Sequence, residues 1–210
     1  MVIPVNRLDR AKGRLAELLS PGERERLALT TLETVLRAVN EAGFEPMVLS
    51  ADESLGERIE AQAAIVAESP EASGLNGQLE ALVGKLHGED VLILHADLPL
   101  ASARALRNLV EAAPRSPSCT LVRSLDGGTN AMLLSPAGGF ALAYGPGSFA
   151  KHEAGTRAAG YALHEFSDDA LSLDLDTAAD LRRLLESESG RASAAGRLLG
   201  SLDVASRLER

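Results

Sequence analysis

Three aspartates have the types and spacing of a metal site. Asp174 and Asp176 are separated by one residue in the run 173–177, so in an extended backbone both carboxylates leave the same face. Two carboxylates this close repel each other unless a cation lies between them. Asp97 follows a long apolar run and precedes Leu98-Pro99. Its carboxylate would complete a set of three that suits Mg²⁺, a hard cation that prefers oxygen ligands.

Each of these aspartates also has an ordinary structural interpretation. Asp97 could be a turn residue that caps the next segment. Asp176 could be the N-cap of the following helix, and Asp174 could be a solvated residue at a sheet edge. From the residues alone, both interpretations stay open.

Two glycine-containing loops offer groups that bind anions. The segment 126–130 (Asp-Gly-Gly-Thr-Asn) predicts a tight hairpin turn that places the Thr129 hydroxyl at a strand end. The segment 145–148 (Gly-Pro-Gly-Ser) predicts a turn with Ser148 as the cap of the next helix, and free N–H groups at such a helix start attract phosphate. Lys151 and His152 follow in the first turn, where the helix dipole disfavours positive charge unless an anion is bound.

Lys12, in the polar segment after the first strand, could bind a triphosphate, although a solvated loop is the simpler interpretation. The segment 74–76 (Gly-Leu-Asn) before a helix is a weak signal on its own. The four histidines show no metal-ligand spacing, and no nucleophilic triad is evident. The chemistry that the residues indicate is therefore phosphate and magnesium chemistry.

The composition of the chain limits the kinds of molecule that the protein is expected to bind. The formal net charge is −9, which makes the chain a poor binder of nucleic-acid backbones. Aromatic residues are 3% of the chain, so base stacking on aromatic platforms is not expected. Cys119, the single cysteine, lies in an apolar run and is expected to be buried in a strand. With no disulfide, signal peptide or membrane segment indicated, we expect a cytoplasmic protein; a homodimer is allowed but not required.

The elements that must position these residues follow from hydrophobic periodicity. Strands are predicted at 1–5, 44–50, 63–67, 90–96, 119–123, 131–134, 161–166 and 171–176. Helices are predicted at 75–86, 102–113, 148–159, 177–188 and 197–208, and a further helix begins at Ser20 and ends before Gly43. This alternation predicts one α/β domain with a mostly parallel, doubly wound sheet and helices on both faces. Ligands of such sheets bind beyond the carboxyl ends of the strands, where Lys12, Asp97 and the 174/176 pair fall.

These segments, in this order, resemble the guanylyltransferases of coenzyme F-420 biosynthesis, which act on 2-phospho-L-lactate or phosphoenolpyruvate. The segments that carry the resemblance span almost the whole chain to about residue 185: Ile3–Val5, Ala11–Ala16, Leu19–Pro21, Gly74–Asn76, Ala96–Pro99, Asp126–Asn130, Gly145–Phe149 and Leu173–Thr177. The resemblance implies a Rossmann-like nucleotidyltransferase fold of the nucleotide-diphospho-sugar transferase type. Separately, the Ser/Gly/Ala-rich composition of 187–195 predicts a linker to a C-terminal helix, which gives a core domain at 1–190 and a helical tail at 191–210.

The resemblance implies roles residue by residue. Thr129, Gly145 and Ser148 match positions that hold the phosphorylated acid. Asp97, Asp174 and Asp176 match the metal-binding carboxylates. The positions that match the nucleotide-binding segments are Lys12, Gly74 and Asn76. Asn6 departs from the family, which usually has lysine after Pro-Val, so Lys12 would be the main basic residue of its loop.

The implied reaction joins GMP from GTP to phosphoenolpyruvate or 2-phospho-L-lactate and releases pyrophosphate, with Mg²⁺ as cofactor. GTP and a small phosphorylated three-carbon acid are therefore the expected partners, with no nucleic acid or membrane involved. Two alternatives remain. One is a nucleotidyltransferase with another acceptor, such as 3-phosphoglycerate, a sugar phosphate or a molybdenum cofactor. The other is a non-catalytic nucleotide-binding domain.

Overall fold

A single sheet organises the part of the chain that the computed structural model describes, namely residues 1–59, 61–138 and 141–209. Among these residues the strands are β1 (Val2–Pro4), β2 (Met47–Ser50), β3 (Ala64–Ala67), β4 (Val91–Leu94), β5 (Ser118–Arg123), β6 (Thr129–Ser135) and β7 (Ala162–Glu165). They lie in the order β3-β2-β1-β4-β6-β5-β7. Strand β6 is antiparallel to both of its neighbours, and the other pairs are parallel. The predicted mostly parallel sheet is confirmed.

Helices cover both faces of the sheet. In the described residues they are α1 (Pro21–Glu41), α2 (Leu55–Ile59), α3 (Gly74–Val83), α4 (Ala103–Glu111), α5 (Ser148–Ala158), α6 (Asp169–Ser172), α7 (Ala178–Glu186), α8 (Glu188–Ala192), α9 (Ala194–Ser201) and α10 (Val204–Leu208). Alternate residues of a strand point to opposite faces. Ile3 and Leu92 accordingly pack in one cluster with α1 and α4, whereas Val2 and Ile93 pack in another with α3 and α5. None of the described helices is long and apolar enough to cross a membrane.

Local sequence signals determine the start of α1. The Ser20 side chain accepts a hydrogen bond from the Glu23 N–H, and the Glu23 carboxylate accepts one from the Ser20 N–H at 2.8 Å. This is the predicted capping box, and Pro21 occupies the first helical position as expected. Cys119 is fully buried in β5, as the sequence predicts.

The prediction of a strand at 171–176 is wrong. Helix α6 ends at Ser172, the backbone of Leu173 is extended, and residues 173–176 pair with no strand among the described residues. The segment instead crosses strand ends, where the Leu175 N–H donates to the Asp97 carbonyl at 3.2 Å. An alternating apolar and polar pattern predicts an extended backbone with one buried face. It does not show whether a neighbouring strand is hydrogen-bonded to that backbone.

The C-terminal region is more helical than the sequence indicates. The predicted linker 187–195 contains α8, and the single predicted helix 197–208 is two helices, α9 and α10. Ser187 and Ser193 accept hydrogen bonds from Gly190 N–H and Gly196 N–H and so cap short helices that composition alone suggests to be coil. Helices α9 and α10 pack on the buried residues Leu15, Leu19, Leu27, Leu173 and Leu175. The domain boundary at residue 190 stays a prediction.

Candidate metal and nucleotide site

The three aspartates singled out by the sequence come together at the carboxyl end of β4. One carboxylate oxygen from each of Asp97, Asp174 and Asp176 lies within 4.8 Å of the other two. Asp97 lies three residues after the end of β4, and the 173–176 segment passes beside it, where Leu175 N–H donates to the Asp97 carbonyl. Leu173 and Leu175 are buried in the C-terminal cluster. The alternation of leucine and aspartate therefore sends both carboxylates to the opposite side, as the extended backbone predicts.

Asp176 is not a helix cap. Thr177 is the N-cap of α7, and its side chain accepts from the Asp180 N–H in a capping box. The structural alternative for Asp176 is therefore wrong.

Asp174 is held by two polar side chains that the sequence did not identify as positioning groups. Its Oδ1 accepts hydrogen bonds from Ser124 Oγ at 2.7 Å and from Asn130 Nδ2 at 3.3 Å. Asn130 also donates to the carbonyls of Leu171 and Ser172, so it ties β6 to the carboxylate segment. Burial nevertheless raises the pKa of Asp174 above its ordinary value, because these two hydrogen bonds only partly offset desolvation. A nearby cation would favour the ionised form.

Lys12 lies inside the carboxylate cluster and not in a solvated loop. Its Nζ is 2.7 Å from Asp97 Oδ2 and 3.1 Å from Asp176 Oδ1, and its side chain is only 7% exposed. Lys12 has a left-handed backbone with φ +55°, which is uncommon for a residue other than glycine. Burial alone would lower the pKa of Lys12, but the two carboxylates outweigh it and raise that pKa. Burial alone would raise the pKa of Asp97, but the Lys12 charge, the neighbouring His95 and the hydrogen bond from Lys12 together outweigh burial and lower that pKa.

The donor set fits a magnesium ion. Asp97 Oδ1 is buried and accepts no hydrogen bond from any residue in the described ranges. In each carboxylate one oxygen is engaged by the protein: Asp97 Oδ2 and Asp176 Oδ1 by Lys12, and Asp174 Oδ1 by Ser124. The second oxygens of Asp97 and Asp174 remain for a ligand, whereas Asp176 Oδ2 lies 3.8 Å from Arg14 Nη1 at the exposed side of the cluster. Carboxylate oxygens of this kind suit Mg²⁺.

A cleft of about 870 Å³ extends from this cluster across the ends of β4, β1, β2 and β3. Lys12, Gly74, Asp97 and Asp176 all line it. Asn76 does not line it. Its amide instead accepts from the Tyr144 N–H at 2.7 Å and donates to the Tyr144 carbonyl at 3.1 Å. The structure thus brings Gly74 to the cleft, while Asn76 holds the chain just before Gly145.

Thr129, Gly145 and Ser148 lie next to one another, outside the lining of the large cleft. Ser148 Oγ donates to Thr129 Oγ1 at 3.3 Å, and both side chains are almost fully buried, at 2% and 1% exposed. Gly145 is exposed and has φ +124°, a conformation that favours glycine. The prediction of Ser148 as a helix cap is wrong: Gly147, with φ +66°, is the N-cap, and Ser148 is the first residue of α5.

His152 lies beside Thr129, and the expectation of a possible positive charge at this position is wrong. His152 is fully buried, and its Nε2 accepts a hydrogen bond from the Ala143 N–H at 2.9 Å. The proton must therefore be on Nδ1, which lies 2.9 Å from Thr129 Oγ1 and donates to it. Burial lowers the pKa of His152 to about 4, so the ring is neutral at physiological pH. Only the spatial neighbours of the ring reveal this, because nothing local in the sequence indicates that it is buried.

Known proteins match this chain over most of its length. A family model described as "Guanylyl transferase CofC like" matches residues 1–206. Phosphoenolpyruvate guanylyltransferase of Sphaerobacter thermophilus is 39% identical over 190 residues, which cover 87% of this chain and 90% of the relative. 2-Phospho-L-lactate guanylyltransferase of Methanothermobacter thermautotrophicus is 33% identical over 186 residues, covering 88% of this chain and 82% of the relative.

The fold also matches solved structures. A Desulfovibrio desulfuricans G20 protein described as a nucleotide-diphospho-sugar transferase superposes with a TM-score of 0.78. The two chains are 16% identical, and the match covers 96% of this chain and 94% of the other. At this identity the likeness concerns the fold alone, and it confirms the predicted nucleotide-diphospho-sugar transferase architecture.

Proposed function

Because the chain belongs to the CofC-like guanylyltransferase family, we propose that it transfers a guanylyl group from GTP to a small phosphorylated three-carbon acid in coenzyme F-420 biosynthesis. The proposed acceptor is phosphoenolpyruvate, which would give enolpyruvyl-diphospho-guanosine and pyrophosphate. The 39% identical relative acts on phosphoenolpyruvate by name, and the 33% identical relative acts on 2-phospho-L-lactate. 2-Phospho-L-lactate is therefore the second acceptor to test.

The proposed chemistry needs positioning and charge neutralisation. A phosphate oxygen of the acceptor attacks the α-phosphorus of GTP, a new P–O bond forms, and the bond to the pyrophosphate leaving group breaks. The attacking phosphate is already anionic at neutral pH, so no general base is required. In-line placement and stabilisation of the leaving charge supply the catalysis.

The residues of the cleft suit these tasks. Asp97, Asp174 and Asp176 would hold Mg²⁺, which when bound supplies a Lewis acid that neutralises phosphate charge. Lys12 places a second positive charge at the same end of the cleft. Thr129, Gly145 and Ser148 are proposed to contact the acceptor. Two observations support this assignment. The backbone of Gly145 is exposed, and hydrogen bonds from neutral His152 and from Ser148 hold the Thr129 hydroxyl in place.

The observation that carries the proposal is Asp97 Oδ1, a buried oxygen without a hydrogen-bond partner among the described residues, at one end of a cleft of about 870 Å³. The direct test incubates the protein with GTP, Mg²⁺ and phosphoenolpyruvate, 2-phospho-L-lactate or 3-phosphoglycerate, and measures pyrophosphate. We expect release with phosphoenolpyruvate. GTP binding without release in any arm would favour the non-catalytic alternative and reject the proposal.

We propose that the enzyme works in the cytoplasm. The single, buried cysteine suits a reducing compartment. A homodimer is compatible with the proposal, and light scattering of the purified protein would distinguish it from a monomer.

A further inference from the structure

The end of the cleft opposite the carboxylate cluster carries a second acidic group, Glu68. Glu68 directly follows β3, is exposed and lines the cleft. The strand registers pair Val2 with Ile93, Pro4 with Leu49 and Leu49 with Val66. Continued past the strand ends, these registers place Glu68 level with Asp97.

Three strand spacings separate the backbone at Glu68 from the backbone at Asp97, because β3 and β4 are separated by β2 and β1. At about 4.8 Å per strand this is roughly 14 Å. A nucleotide with its α-phosphate at the Asp97 end would therefore extend its base toward Glu68.

An apolar surface lies at the same end. Leu75, in the first turn of α3, lines the cleft and is 42% exposed, so a large apolar side chain faces the space that a ligand would fill. A flat base packed on it would remove this apolar surface from water.

Gln78 also lines the cleft, but its amide is already used. Its Oε1 accepts from the Ser69 N–H at 2.7 Å, and its Nε2 donates to the carbonyls of Ser69 and Ala72. Gln78 therefore anchors the loop that follows Glu68. The Glu68 carboxylate, by contrast, accepts no hydrogen bond from a described residue, which leaves both of its oxygens for a ligand.

Resting on the proposed function, we propose that Glu68 selects guanine by accepting hydrogen bonds from its N1–H and 2-amino groups while the base packs on Leu75. Guanine presents two donors side by side on this edge, and a carboxylate accepts both in a bidentate geometry. Adenine presents a ring acceptor in place of the N1–H, so its lone pair would oppose the carboxylate. Glu68 thus both binds guanine and rejects adenine.

The test compares the wild type with Glu68→Gln in equilibrium binding of GTP and xanthosine triphosphate, with Mg²⁺ and without acceptor. A glutamine amide accepts from N1–H and donates to the 2-carbonyl of xanthine. We therefore expect GTP affinity to fall about 10- to 100-fold, the range for losing a hydrogen bond to a charged group. The ratio of xanthosine triphosphate affinity to GTP affinity should rise at least tenfold. In turnover assays the loss for GTP should be in KM, with kcat little changed.

Glu71→Gln is the matched control, since Glu71 is exposed, lies in the same loop and does not line the cleft. It should leave the affinity ratio unchanged. A ratio in Glu68→Gln within twofold of the wild type would overturn the inference, as would equal weakening of both nucleotides. Binding is measured without acceptor, so failure of guanylyl transfer would appear separately, as GTP binding without pyrophosphate release.

Discussion

Lys12 Nζ lies 2.7 Å from Asp97 Oδ2, although the two residues are 85 positions apart in the chain. The contact joins the loop after β1 to the loop after β4 across adjacent parallel strands. Because the lysine side chain is 7% exposed, its charge depends on these carboxylates for compensation.

Removing the Lys12 charge should destabilise the protein and increase the stabilisation that added Mg²⁺ provides. In Lys12→Met the carboxylates of Asp97 and Asp176, which are 22% and 41% exposed, lose their counter-charge, and we expect the free energy of unfolding to fall by about 2 kcal/mol without Mg²⁺. Added Mg²⁺ should stabilise the variant more than the wild type, since it replaces the missing charge. Denaturant unfolding with and without Mg²⁺ measures both effects. Lys85→Met, at an exposed lysine, is the control; equal stability of the two variants would contradict the buried ion pair.

The proposed metal ligands should be needed for turnover, and variants that lose one of them should still adopt the native fold, although with lower stability because Lys12 loses one of its two partners. Asp97→Asn and Asp176→Asn each remove a carboxylate charge, and loss of metal binding should lower kcat at least about 100-fold, equivalent to a few kcal/mol of transition-state stabilisation. Pyrophosphate release gives the rate, and circular dichroism checks the fold. Asp169→Asn changes an exposed aspartate of α6 and is the control, which should leave kcat unchanged. Activity within tenfold of the wild type in either variant would refute the metal role of that residue.

The hydroxyl of Thr129 is proposed to contact the acceptor. Thr129→Val removes the hydroxyl and should raise KM for phosphoenolpyruvate about tenfold, the cost of one hydrogen bond, while KM for GTP stays constant. Thr156→Val is the control, because Thr156 is equally buried but its hydroxyl serves α5 and its packing: it donates to the His152 carbonyl and lies beside the Cys119 thiol. If the two variants raise KM for the acceptor equally, Thr129 stabilises the fold and does not contact the acceptor.

His152 should make stability depend on pH. The folded state holds the pKa of His152 at about 4, compared with an ordinary value of 6.5. Below pH 6.5 the unfolded chain binds a proton at this histidine that the folded chain does not, so the free energy of unfolding should fall as pH drops from 6.5 to 4. The total loss should be about 3 kcal/mol. Denaturant unfolding across this range would measure it. In His152→Gln this part of the slope should vanish; a slope identical to that of the wild type would show that other groups cause it.

The helical tail should be part of the folded core. Leu199 of α9 is fully buried against Leu15 and Leu19, so Leu199→Ala should lower the free energy of unfolding by about 3 kcal/mol through lost burial and a cavity. Leu202→Ala, at a partly exposed neighbour, should cost less than about 1 kcal/mol. Equal, small effects would mean that 191–210 is a dispensable tail, in line with a domain boundary at residue 190.

Features that depend on nearby residues could be predicted from the sequence. The capping box of Ser20 and Glu23 and the buried strand β4 follow from local patterns, and both are present. The strand predicted at 171–176 was wrong because an extended segment shows the same alternation with or without a ladder partner. The linker predicted at 187–195 was wrong because serine caps allow short helices in a segment whose composition resembles coil.

The sequence by itself determined the residue types, their order and the shared face of Asp174 and Asp176, because these depend on neighbours within a few positions. Only the tertiary structure decided that Lys12 lies between Asp97 and Asp176, that His152 is neutral with its proton on Nδ1, and that Asn76 supports Tyr144 outside the cleft. The partners of Lys12 and Asn76 are 68 to 164 positions away in sequence. Burial and hydrogen-bond geometry set the charges and roles of these residues, and both exist only once the sheet brings the strand ends together.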